Sequence, residues 1–249
     1  MADVQKIKAL VDEKAEKFVN VANQVWSTPE LGFKEEKSAA ALIAALESEG
    51  FKVTTGLAGI PTAFVGVWGE GHPAIALLGE FDALPSLSQE AGVWEHKEIV
   101  PGGPGHGCGH NLFGAMSALA AASLKQVVDA VGGEIRVYGT PGEEGGENGS
   151  AKGSFVREGF LKDVDAALCV HPIGGKSLVT APSLGCAPVD IEFWGKSAHA
   201  AANPEAGINA LDALILTYNG INALRQHVTP DVRIHGIIKD GGKACNVVP

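Results

Sequence analysis

The run Ala74-Ile75-Ala76-Leu77-Leu78 is apolar at every position and breaks off into Gly79-Glu80-Phe81-Asp82-Ala83-Leu84-Pro85. A strand without a polar face suits the buried centre of a sheet. The same order of strand, polar loop and helix recurs along the chain. Residues 134–138 read as a strand that ends at the carboxylate pair Glu143-Glu144, and residues 166–170 as a buried strand that ends at His171. Between them, residues 111–129 are rich in Ala and Leu and read as a buried helix, and 150–161 as a further helix. Val4, Ile7, Val11, Phe18, Ala22 and Val25 recur at helical spacing, and a second helix is expected over 35–49 with Gly50 as its cap. Residues 51–55 and 62–68 read as strands. This alternation predicts an α/β fold, an open and mostly parallel sheet flanked by helices, in which ligands bind beyond the carboxyl ends of strands.

The texture changes after about residue 180. Residues 188–194 alternate as a strand, 206–227 read as a long helix and 232–239 as another strand, so a smaller α+β domain is expected. The boundary falls near 181–185 and divides 1–182 from 183–249. The last residues, Ala244 to Pro249, begin like a strand and stop, so the chain is expected to be a fragment.

Hydrophobic residues make up 45% of the 249, enough for a sizeable core. A net charge of −10 argues against nucleic acid or an anionic membrane as the main partner. No apolar run approaches the ~20 residues of a membrane-spanning helix, and residues 1–17 are charged and amphipathic, unlike a secretory signal. Cys108, Cys169, Cys186 and Cys245 lie far apart and read as reduced thiols, with Cys169 a buried core thiol. A cytoplasmic location is expected.

The chemistry concentrates in three loops. Gly105-His106-Gly107-Cys108-Gly109-His110-Asn111 places a thiol and an imidazole two residues apart among glycines, which let side chains crowd a small ion. No Gly-Lys-Ser or Gly-Lys-Thr follows, which speaks against a phosphate-cradling loop. In Pro141-Gly142-Glu143-Glu144-Gly145-Gly146 the two carboxylates would repel each other when buried unless a cation lay between them. One of the pair would hold metal while the other takes a proton from water; taken alone, the segment reads as a solvated acidic turn. Asp82 either binds or orients a ligand imidazole, or caps the turn before Pro85. His106 reads as a supporting or structural residue, and His72, His96, His227 and His235 as surface residues. Cys108, His110, the glutamate pair and His171 thus converge on one rim of the sheet.

These segments, with Gly139-Thr140-Pro141, Val170-His171-Pro172, Gly195-Lys196-Ser197-Ala198-His199 and the run from Gly241 to Pro249, resemble the M20 metallopeptidase and amidohydrolase family. Within that family they are most similar to the p-aminobenzoyl-glutamate hydrolase B-subunit type, which is related to the indole-acetyl-amino-acid hydrolases. The resemblance implies a zinc-peptidase-like catalytic domain, a lid and dimerisation domain, and two divalent metal ions, zinc or manganese. It implies Cys108, His110, Glu144 and His171 as ligands, Glu143 as general base, and Asp82 as the group that orients a ligand. His199 would reach a partner subunit's site to steady the oxyanion, and Asn246 would lie near the substrate carboxylate. The implied reaction is cleavage of the amide of an N-acyl or N-aroyl amino acid, such as p-aminobenzoyl-glutamate, or of a dipeptide. The implied assembly is a homodimer or heterodimer through the lid. The sequence departs from the family pattern in two places. Many members carry His where this chain has Glu80, and Cys108 is read as compensating. A further family His and the last part of the catalytic domain fall beyond residue 249, so this chain is expected not to complete its site. The alternative reading is a non-catalytic partner subunit or an inactive truncated paralogue that binds ligand. Nucleotide binding through the glycine loops is a remote third reading.

Overall fold

The computed structural model describes residues 4–145, 149–175, 177–179 and 183–249. The chain divides into two compact units, Met1–Ser177 and Leu178–Pro249. The boundary expected near 181–185 falls partly on residues outside the described set.

In the first unit, α1 (Val4–Ser27) and α2 (Glu36–Ser48) lead into strands β1 (Lys52–Thr55), β2 (Phe64–Glu70) and β3 (Ala74–Gly79). Then come α3 (His110–Val131), β4 (Gly133–Gly139), α4 (Ala151–Arg157) and β5 (Ala166–Leu168). The five strands form one sheet in the order β1-β2-β4-β3-β5. β3 runs parallel to both β4 and β5, while the β1–β2 and β2–β4 pairs are antiparallel.

The residue pattern explains the layers. Phe18, Val21, Ala22 and Val25 repeat at i, i+3, i+4 and i+7 and give α1 one buried stripe. That stripe packs with Leu42 and Leu46 of α2, the small residues Ala115, Ala118, Ala121 and Ala122 of α3, and the sheet residues Phe64, Leu77, Ile135 and Val137. On the opposite face Ala76 and Tyr138 pack with Ala151 and Phe155 of α4. Adjacent residues of β3, Ala76 and Leu77, therefore enter different cores, as a strand buried on both faces requires.

The connection β3-α3-β4 covers one face of the sheet and β4-α4-β5 the other. The carboxyl ends of neighbouring β3 and β4 consequently send their chains in opposite directions. This is the switch-point crevice in which open α/β sheets hold ligands. Thr140 ties the two strand ends together, since its N–H and Oγ1–H both donate to the Gly79 carbonyl, at 2.9 and 3.1 Å.

Several expectations need correction. β5 is three residues long and exposed, because it pairs with β3 on one side and stands at the sheet edge among the described residues. Cys169, just beyond it, is exposed and not a core thiol. The helix expected over 150–161 stops at Arg157, with Gly159 turned to a left-handed φ of 79° shortly after.

The second unit contains α5 (Ala210–Leu224), capped by Asn209, whose side chain accepts the Asp212 N–H at 3.0 Å. The helix expected over 206–227 is thus shorter, with single 3-10 turns at Pro204–Ala206 and Arg225–His227. Residues 188–194 and 232–239 form no strand ladder. Lys239 meets Asp190 at 2.6 Å, so the two runs are neighbours, but alternation without ladder hydrogen bonds does not make a strand. No helix among the described residues is long and apolar enough to cross a membrane.

Candidate metal centre

Each arm of the centre is set by its local chain. Gly109 precedes α3 with a left-handed φ of 80°, and a side chain there would press on Pro172 at 3.2 Å. That turn delivers His110 as the first residue of α3, fully buried, with Cys108 beside it and half-buried. The loop after β3 carries Glu80 and Asp82, both buried, and is pinned by the Leu84–Gly105 bridge to the glycine loop. The loop after β4 brings Glu143 and Glu144, and the chain after β5 brings His171.

The donor atoms meet. Cys108 Sγ lies 3.4 Å from His171 Nε2, which lies 3.4 Å from His110 Nε2. Ligand atoms about 2.0–2.3 Å from a tetrahedral ion stand roughly 3.4–3.7 Å apart, so the spacing suits a shared cation. Cys108, His110 and His171 form one such group, and Glu80, His110 and Glu143 a second, with all donors in each group within 4.8 Å of one another. Both groups use His110, so they describe one crowded centre. Glu143 Oε2 and Glu144 Oε1 stand 3.9 and 4.0 Å from His110 Nε2. Distance from His110 therefore does not separate the two glutamates. Glu144 Oε1 is buried and has no hydrogen-bond partner among the described residues, as expected of a carboxylate built to face a cation.

Surrounding groups fix the imidazoles. His110 Nδ1–H donates to Asp82 Oδ1 at 2.9 Å, and His171 Nδ1–H donates to the Pro172 carbonyl at 2.6 Å. Both rings thus turn Nε2 toward the centre, the arrangement that metal-ligating histidines adopt. The other Asp82 oxygen accepts the Glu144 N–H at 2.9 Å, so one carboxylate aligns both a ring and the acidic loop.

The charge state follows from crowding. Burial pushes the His110 imidazolium down, yet the Asp82 and Glu80 carboxylates around it outweigh that and hold its pKa up at about 10. Burial and then the nearby Glu144 and Glu143 carboxylates push the Cys108 thiol up to about 11. Burial raises the Glu143 carboxyl, and Glu80 adds to the shift. In the metal-free chain, protons on His110 and Cys108 stand where a divalent cation would bind. The soft thiolate and the two imidazoles suit a divalent transition metal, and the carboxylates can share in holding it.

The expected Cys108, His110, Glu143, Glu144, His171 and Asp82 thus come together in the first unit. His199 and Asn246 lie in the second. There the His199 ring accepts the Ala201 and Ala202 N–H groups at 3.2 Å, and the Asn246 carbonyl accepts the Ala200 N–H at 3.0 Å. His106 is a structural tie, with its Nε2–H donating to the Val25 carbonyl of α1 at 3.1 Å.

Sequence reasoning passes over three residues. Glu80 reads in the sequence as part of the Glu80-Asp82 polar cluster and as the place of a missing His, without a role of its own, but its Oε2 lies 2.9 Å from His110 Nε2. Lys152 of α4 pairs with the other Glu80 oxygen, and together with His110 it keeps that carboxyl below its ordinary value against the effect of burial. Buried Glu35 accepts the Gly142 N–H at 2.8 Å and the Thr62 hydroxyl at 3.1 Å, which anchors the acidic loop. A polar residue directly before a helix signals a cap, and nothing in the one-dimensional pattern distinguishes that from a long-range anchor.

Comparison with known proteins agrees with this architecture. The model of peptidase family M20/M25/M40 matches residues 76–235. The B-type subunit of p-aminobenzoyl-glutamate hydrolase from Escherichia coli K12 is 43% identical over 98% of this chain and 52% of its own length. The Xaa-Arg dipeptidase of Mus musculus is 32% identical over 96% of this chain and 54% of its own. The chain thus spans about half the length of these curated relatives. A crystal structure of a dinuclear metal-binding M20 peptidase from Bacillus subtilis superposes with a TM-score of 0.52 at 25% identity, over 64% of this chain and 42% of that one. The fold, the clustered donor atoms and the extent of these matches lead to one conclusion: the chain belongs to peptidase family M20/M25/M40.

Proposed function

We propose that this chain carries the metal-binding part of an amidohydrolase that cleaves the amide bond of N-acyl or N-aroyl amino acids, with p-aminobenzoyl-glutamate the leading candidate and dipeptides a related class. The observation that carries the reading is the meeting of Cys108 Sγ, His110 Nε2 and His171 Nε2 beside two carboxylates. Cys108, His110, Glu144 and His171 would hold two divalent cations, zinc or manganese, and the dinuclear relative supports that number. When bound, the cations supply Lewis acidity toward a water and toward the amide carbonyl.

The remaining work falls to the chain's own groups. Glu143 takes a proton from the attacking water and returns it to the leaving nitrogen, and its raised pKa suits both steps. Asp82 orients His110 and holds the Glu144 backbone in place. His199 would reach a partner subunit's site and steady the oxyanion there, and Asn246 would act near the substrate carboxylate. In this proposal the first unit is the catalytic part and the second the lid, through which a homodimer or heterodimer forms in the cytoplasm.

The Escherichia coli relative is named as one subunit of a hydrolase. That favours a second reading, a non-catalytic partner that binds ligand without turning it over. Turnover of a panel of N-acylated glutamates by a form that spans the full length of the curated relatives separates the two. Hydrolysis that falls by about 10²–10⁴-fold in Glu143→Gln is the expected result. Hydrolysis retained in that variant removes Glu143 as the base, and no hydrolysis by the metal-loaded form of full relative length favours the partner role.

A further inference from the structure

A cleft of about 580 Å³ opens beside Cys108, between the end of α1, the start of α3 and the chain that follows His171. That volume lies within the range of roughly 300–1,000 Å³ typical of small-molecule sites. Its walls include Trp26, Leu112, Pro172 and Ile173. Trp26 is half-buried and stacks on His106 with ring centroids 6.4 Å apart, so one flat aromatic surface is held in place. Leu112 and Ile173 keep 45% and 70% of their surface exposed, so both apolar side chains are open to a ligand in the cleft.

The chemistry of the walls sets what enters. Among the described residues that line the cleft there is no Lys, Arg, Asp or Glu, while Asn23 and Asn111 contribute neutral amides. An amino-acid carboxylate is held most strongly by a charge-assisted bond to Lys or Arg, and among the described residues this cleft presents neither. Cys108 belongs to both the donor cluster and the cleft wall. A scissile carbonyl placed at the cluster therefore directs its acyl substituent past Cys108 into the cleft and its charged amino-acid half elsewhere.

We infer that this cleft is the acyl subsite, that it prefers a flat aromatic acyl group, and that Trp26 with Leu112 and Ile173 determines this preference. The inference rests on the amidohydrolase reading of the centre, and it adds the orientation of the substrate and the residues that choose its acyl half. Stacking on a positioned ring adds to burial of area, so an aromatic group is favoured over an acetyl group on both counts.

The test is equilibrium binding that requires no turnover. The whole metal-loaded chain is titrated with p-aminobenzamide and with acetamide, and binding is followed by NMR chemical shifts. The expected result is at least ten-fold tighter binding of the aromatic amide. A loss of at least five-fold is expected in Trp26→Ala, with most of it restored in Trp26→Phe. Ile173→Asp, at an exposed position that does not endanger folding, is expected to weaken aromatic binding in the same direction. Equal affinity for the two amides, no aromatic binding, or unchanged binding in both Trp26→Ala and Ile173→Asp overturns the inference. The two readings fail separately. Aromatic binding without hydrolysis by a form that spans the full length of the curated relatives keeps the subsite and removes the hydrolase. Hydrolysis with equal kcat/KM for benzoyl and acetyl glutamate, and a ratio unmoved by Trp26→Ala, removes the subsite and keeps the hydrolase.

Discussion

Asp82 contributes to the order of the centre through both of its oxygens, one on the His110 ring and one on the backbone of Glu144. Its neighbour Glu80 does the opposite kind of work, bringing a buried negative charge within 2.9 Å of the same imidazole. Without metal, His110 answers as an imidazolium, with a pKa raised from 6.5 to about 10. The sign of the linkage follows directly. A group whose folded pKa lies above its unfolded value contributes stability that is complete below the unfolded pKa and is lost as pH rises through the folded one. The His110 contribution is therefore full below about pH 6.5 and lost on approaching pH 10, and that of Cys108 is lost later, between about 9 and 11. The metal-free chain is expected to show a falling denaturation midpoint as pH is raised from 6.5 to 10. His110→Gln, which cannot titrate, is expected to flatten that fall. Midpoints that rise over the same interval contradict the account of His110.

At the scale of elements, the sheet brings the chemistry together because β3 and β4 end side by side and send their chains to opposite faces. The acidic loop after β4 keeps its shape through Gly142, which has a φ of 66° and leaves no room for a side chain, since a Cβ there would lie 2.5 Å from the Phe33 ring. Gly142→Ala is expected to cost about 1–3 kcal/mol in chemical denaturation, and to weaken cation binding because Glu143 and Glu144 move with the loop. A variant with unchanged midpoint and unchanged cation affinity contradicts this role. Much of this arrangement was legible in the sequence. The apolar run of β3, the Ala-rich α3 and the polar clusters at strand ends carry strong local signals, and the convergence of Cys108, His110, Glu143, Glu144 and His171 follows from them. The pairing of Glu80 with Lys152 and the anchoring of Gly142 by Glu35 were not legible, because each joins residues 70 or more positions apart through a single side chain. The alternating runs at 188–194 and 232–239 misled for the reverse reason. Period two signals a strand only when another strand lies alongside to share the ladder.

At the scale of the whole molecule, the first unit contains the donors that the described residues bring together and the uncharged cleft beside them, while His199 and Asn246 belong to the second. The net charge of −10 is partly concentrated at Glu80, Asp82, Glu143 and Glu144, where it would attract cations and not polyanions. The central claim is that a thiolate, two imidazoles and a carboxylate close on cations in the first unit. The most direct measurement is titration of the metal-free chain with cobalt(II), followed by absorption. The account expects a near-ultraviolet thiolate-to-cobalt charge-transfer band that grows to saturation, vanishes in Cys108→Ser, and appears only at higher cobalt in His171→Ala. A spectrum that is the same in the wild-type chain and in Cys108→Ser contradicts it.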